Sequence, residues 1–164
     1  MISCTEFIPA YSALFDEIHA RGGREAVERF WESLSDTWLT QLRDLAAAKG
    51  LEGCWEYWTH TLNEEAADFT MELDEAEGEF RIHMHHCPSK GRLLEMTHIT
   101  PYPEYCAHCD TLYRRVLEPL GFDYHVDLSR CDQARCELVV RRRKETSGAA
   151  GTSNGRPQTQ QPNP

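Results

Sequence analysis

The stretch FTMELDEAEGEFRIHMHHCPSK, residues 69–90, decides how the chain is read. Phe69, Met71 and Leu73 alternate with Thr70 and Glu72, and Phe80, Ile82 and Met84 alternate with Arg81, His83 and His85. A period of two is that of a strand with one buried face, and Glu75-Ala76-Glu77-Gly78, ending in glycine, is read as the turn between the runs. The stretch therefore predicts a β-hairpin that lays apolar side chains on one layer and polar ones on the other.

Upstream the period changes to three and four. Phe7, Tyr11, Leu14, Phe15 and Ile18 form one helical stripe that stops at Gly22-Gly23. Val27, Phe30, Trp31, Leu34, Trp38, Leu42 and Leu45 form a longer one that closes at Gly50. A third helix is predicted around Leu51 to Glu65, carrying Trp55, Trp58 and Leu62. Aromatic residues at this spacing are read as core.

Downstream, Pro101 and Pro103 precede a helix whose face is Tyr105, Cys109, Leu112 and Val116, ending at Gly121. Two further strands fit Tyr124-Val126-Leu128 and Cys136-Leu138-Val140, joined by the polar linker 129–135. The sum is a single α+β domain over residues 1–144, with N-terminal helices packed on an antiparallel sheet of about four strands and one helix between the two hairpins. Residues 145–164 contain no large apolar side chain, which predicts a disordered C-terminal tail.

Charge narrows the function classes. The net charge is -10, and the run from Gly50 to Phe80 holds ten acidic residues without a Lys or Arg, which repels a phosphate backbone. Nucleic acid is excluded as a partner on this ground. The basic run Arg141-Arg142-Arg143-Lys144 reads as a solvated strand end. No apolar run reaches membrane-spanning length and no secretory leader is evident, so no membrane partner is expected and the cytoplasm is the expected compartment. A homo-oligomer is left open.

Seven cysteines in a chain without an export signal point to reduced thiols rather than a disulfide framework. Strand parity would place Arg81, His83, His85 and Cys87 on one face at steps of about 7 Å, with His86 pointing the other way and partly buried. Pro88 keeps Cys87 extended and ends the ladder, and Lys90 nearby is a cation able to lower the thiol's pKa if it points inward. Cys106, Cys109 and Asp110 open the later helix, where the dipole also favours a thiolate. Cys136 reads as an inert core thiol, and Cys4 and Cys54 are assigned no role. One further reading unites His83, His85, Cys87, Cys106 and Cys109 as ligands of a zinc ion, although a second C-x-x-C pair is absent.

The second half of the chain resembles the L-2-amino-thiazoline-4-carboxylic acid hydrolase family. The carrying residues are Met84-His85-His86-Cys87-Pro88 at a strand end, Tyr105-Cys106 with Asp110 shortly after, the helix end Leu120-Gly121-Phe122, and the strand Arg135-Cys136-Glu137-Leu138-Val139-Val140. The likeness covers residues 67–142, and Cys109, Cys131 and the His83-Met84-His85-His86 run depart from the family pattern. The resemblance implies an enzyme that hydrolyses a carbon-nitrogen bond of a cyclic amidine, a small-molecule substrate, with no required cofactor.

On that reading Cys87 or Cys106 is the nucleophile and Asp110 shuttles the proton. His83 or His85 orients the water or leaving group, and Lys90 or Arg92 holds a substrate carboxylate. Two other classes compete: a zinc-stabilised domain or metal-dependent hydrolase, and a non-catalytic small-molecule sensor on the same scaffold.

Overall fold

A computed structural model describes residues 4–144; the tail expected from residue 145 lies outside the described residues. Three helices lead: α1 (Cys4–Trp38), α2 (Thr40–Lys49) and α3 (Leu51–Glu64). Strands β1 (Asp68–Asp74) and β2 (Glu79–His86) follow, then α4 (Pro88–Glu95) and α5 (Ala107–Leu117), and finally β3 (Phe122–Asp127) and β4 (Cys136–Arg142). The class is α+β, with helices first and one antiparallel sheet in the order β1-β2-β4-β3. No helix among the described residues is long and apolar enough to cross a membrane.

The predicted stop at Gly22-Gly23 is a kink: Gly23, at φ 70 and ψ -174, interrupts the helical backbone of α1 and lets the second limb fold back. The second stripe does not run unbroken to Gly50; it divides at Leu39, whose φ -91 and ψ 28 separate α1 from α2. Gly50, at φ 65, turns the chain from α2 into α3. At Gly53 the two helices come so close that a β-carbon would stand 2.1 Å from the Leu45 carbonyl oxygen.

The sheet's inner face carries Phe80, Ile82, Tyr124, Leu138 and Val140, packed on Trp58 and Leu51 of α3, Leu42 of α2 and Leu117 of α5. Phe80 stacks on Trp58 with centroids 5.6 Å apart. A second core lies where the limbs of α1 meet the segment before α5, built on Phe15, Trp31, Leu93, Tyr102 and Tyr105. Its buried hydroxyls are satisfied: Ser12 Oγ accepts from the Tyr102 amide at 2.8 Å, and Ser35 Oγ donates to the Leu112 carbonyl at 2.8 Å.

The outer face is polar as parity predicts. Arg81 bridges Glu79 and Glu137, Glu79 also meets Arg141 at 2.6 Å, and Val139 is flanked across the ladder by Arg81 and His125. Arg141 to Lys144 are exposed, in keeping with a solvated strand end, and Arg143 reaches Asp123 at 2.9 Å.

Two helices, not one alone, separate the hairpins, because the short α4 starts at Pro88. Cys87 is its N-cap, its sulfur accepting from the Lys90 amide at 3.5 Å, and proline at the first helical position suits a helix start.

Candidate functional site: a thiol neighbourhood between strand β2 and helix α5

Parity fails at the end of β2, and the reason is a bulge. Asp68 pairs with His86 while Phe69 pairs with Met84, so His85 is an extra residue on β2. Beyond it the alternation is reversed. His85 and His86 are both exposed, which corrects the expectation that His86 is partly buried; its ring lies over Gly91, where a β-carbon would meet Nε2 at 2.2 Å. Cys87 leaves the outer face for the helix side, where its amide donates to the Ala134 carbonyl at 2.7 Å.

There Cys87 joins other thiols. Charge on Cys87, Cys109 or Cys131 is felt at Cys106, and Cys136 senses Cys87, Cys109 and Cys131. The end of β2, the start of α5 and the start of β4 thus form one electrostatic neighbourhood. Tyr105 roofs it, its hydroxyl 2.7 Å from Ser89 Oγ.

The thiols are held neutral. Burial pushes Cys87 above its ordinary value, against the Lys90 amide that pulls it down and with the Cys109 charge that pushes it further up. Burial likewise raises Cys106, with Cys109 and Cys131 adding to the shift, and lifts Cys109 and Cys136 to about 12. The Lys90 charge favours the thiolate at Cys87, as the sequence suggested, and also at Cys106, but desolvation outweighs it at both. Cys54, buried in α3, is raised to about 12 by burial alone among the upward causes.

Sequence reasoning passed over His108. Its ring lies 4.9 Å from Tyr105 and 5.8 Å from Phe15, and this enclosure lowers its pKa to about 4. Nδ1 bonds the Tyr105 carbonyl, and Nε2 stands 3.5 Å from Cys109 Sγ. The sequence signal was its place between two cysteines, but apart from Tyr105 the rings around it, Tyr11, Phe15 and Trp31, come from α1.

Of the remaining candidates, Asp110 adds its charge to the upward shift of Cys109, and each is held by a partner of its own. Asp110 points to Arg114 at 2.6 Å and lines a separate hollow with Arg115 and Glu118. His83 bonds Glu137 at 3.1 Å, and His85 bonds Thr70 at 2.9 Å, both on the outer face. Arg92 reaches Glu65 at 3.3 Å. Among the described residues no group of three or more His, Cys, Asp or Glu side chains is arranged to hold a metal ion; the five proposed zinc ligands are divided between the two faces of the sheet.

The fold and site thus define an α+β domain with a cluster of desolvated, neutral thiols at one end of its sheet. No protein-family model, curated protein or solved structure matches this chain.

Proposed function

We propose that the thiol neighbourhood is the reaction site of a small-molecule hydrolase that opens a cyclic amidine, as the resemblance to the thiazoline-carboxylate hydrolase family implies. The observation that carries this reading is that Cys87 and Cys106, drawn from elements nineteen positions apart in the chain, share one electrostatic neighbourhood within reach of the Lys90 charge.

Neutral resting thiols fit a cationic substrate. An amidinium placed beside Cys87 or Cys106 is the opposite charge that desolvated sulfur lacks, so binding lowers the thiol pKa and the thiolate forms where the electrophilic carbon lies. The thiolate adds to the amidine carbon, the ring nitrogen takes a proton, and the carbon-nitrogen bond breaks to leave an iminodithiocarbonate, whose carbon is joined to the cysteine sulfur, the substrate's own sulfur and the exocyclic nitrogen. Water then adds to that carbon and the cysteine sulfur departs with a proton, so one water is consumed and no oxidant or reductant is needed. Lys90 is the cation left to hold a substrate carboxylate, since Arg92 is engaged by Glu65.

Separate Cys87→Ser and Cys106→Ser variants, assayed for ring opening of L-2-amino-thiazoline-4-carboxylate, test the proposal. Loss of turnover in one with retained fold supports it, and full turnover in both overturns it.

The upward thiol shifts favour a second reading, a binding domain without covalent chemistry, because a sensor needs no reactive cysteine. The two separate on labelling: iodoacetamide modification of Cys87 or Cys106 that accelerates when the amidine is bound belongs to the hydrolase, and protection without any acceleration belongs to the sensor.

A further inference from the structure

A second hollow opens at the end of the outer sheet face, bordered by Cys136 of the thiol neighbourhood. Its volume is about 290 Å³, and His83, His85, Asp127, Arg130, Arg135 and Glu137 are among the residues that line it. That size is at the lower end of ligand sites and suits a ligand of few heavy atoms.

The balance of charge on its walls is unequal. Glu137 is already met by Arg81 and by His83 at 3.1 Å, and His85 is bonded to Thr70. Arg135 gives Nε to the His85 carbonyl at 3.2 Å, which fixes the plane of its guanidinium and leaves the two terminal nitrogens free for a ligand. Neither Arg130 nor Arg135 forms an ion pair with a carboxylate among the described residues. Asp127 accepts the Ser129 amide at 2.8 Å and has no cation within ion-pair distance among the described residues, although it feels the His125 and Arg130 charges. What remains for a ligand is a pair of guanidinium groups and one carboxylate, in a chain whose net charge is -10.

We propose that this hollow binds a small amino-acid-like zwitterion, its carboxylate between Arg130 and Arg135 and its cationic end at Asp127. Arginine is suited to the first contact because its fork of N–H donors matches the two oxygens of a carboxylate. The second contact separates a zwitterion from a simple anion, which would gain nothing from Asp127 and would be repelled by it. The hollow shares Cys136 with the thiol neighbourhood, but its proposed ligand contacts are Arg130, Arg135 and Asp127, so serine binding and ring opening are read separately.

Calorimetric titration of the full chain with L-serine, acetate and ethylammonium tests the inference. The expected result is saturable binding of serine at least tenfold tighter than acetate, which is about 1.4 kcal/mol, with ethylammonium weaker than either. Arg130→Gln and Arg135→Gln, both at exposed positions, should each weaken serine binding about tenfold with an unchanged circular dichroism spectrum. Asp127→Asn should bring serine down to the affinity of acetate. The inference is overturned if serine gives no saturable heat, if acetate binds as tightly as serine, or if the Arg130→Gln, Arg135→Gln double variant binds serine unchanged.

Discussion

The Tyr105 carbonyl and the Cys109 thiol fix the two nitrogens of His108 in different roles. A carbonyl can only accept, so Nδ1 carries the proton, and the lone pair on Nε2 faces Cys109 Sγ at 3.5 Å. A neutral imidazole and a neutral thiol satisfy each other without creating charge in an aromatic enclosure, where an isolated ion is costly.

Acid should therefore unfold the protein partly through this ring. The His108 pKa is lowered from 6.5 to about 4, so the unfolded chain binds the proton first as pH falls. The contribution is fully present above pH 6.5 and is lost as pH falls through 4. With the ring's remaining exposure discounted, the loss amounts to about 2 kcal/mol. Urea midpoints measured from pH 7 downward should fall more steeply in the wild type than in His108→Phe; parallel curves would show that the ring is not held neutral.

Native thiols should label slowly. Cys54, Cys109 and Cys136 are each raised to about 12 by burial, so in the absence of ligand their iodoacetamide modification at neutral pH should trail that of the urea-unfolded chain by at least tenfold. Peptide mass spectrometry of timed samples gives the rate at each position. Rapid modification of Cys109 in the folded chain is the contrary result.

The close approach of α2 and α3 at Gly53 should tolerate no side chain. A β-carbon at Gly53 would meet the Leu45 carbonyl carbon at 2.4 Å and the Ala46 nitrogen at 2.9 Å, all backbone atoms that move only if α2 and α3 separate. Gly53→Ala should cost ~3 kcal/mol and lower the thermal midpoint by roughly 6–12 °C. Differential scanning calorimetry is the check, and an unchanged midpoint refutes the packing.

Phe80 links the sheet to α3 through Trp58, and it is fully buried. Phe80→Ala should destabilise by about 3–5 kcal/mol through lost transfer energy and the cavity left behind. The denaturant midpoint should drop at constant slope; a change of slope would mean that the hairpin detaches rather than the core loosening.

The fold was largely legible because its signals are local. Alternation at 69–73 and 80–84, the helical spacing of Trp55, Trp58 and Leu62, and the glycines at 23, 50 and 121 each report on a few consecutive residues. The division at Leu39 was not legible, since the apolar stripe runs straight through it. The short α4 did leave a signal, a cysteine followed by proline at a strand end, but the same pair equally reads as the end of a ladder.

The site was harder to read because it is assembled from distant pieces. That Cys87 and the cysteines of the later helix share a site is an expectation from their motifs, whereas the burial that keeps these thiols neutral leaves no mark in the sequence around them. Lys90 was recognised as a helpful cation, and only the packed structure reveals that burial opposes it and wins. Asp110 lay at the right helical spacing from Cys106, yet Arg114, also four residues along the helix, claims it.

The extra residue at His85 works as a phase shifter. Ahead of it, odd-numbered side chains meet water; past it, the odd-numbered Cys87 goes to the interior, because the bulge takes His85 out of the ladder and keeps the sulfur on the dry side, where unbroken alternation would have put it in water. Deleting His85 would leave a plain ladder with Met84 inward, His86 outward and Cys87 still inward, whereas pairing His85 in register would turn the sulfur to water, so the pairing at one histidine decides where the thiol goes.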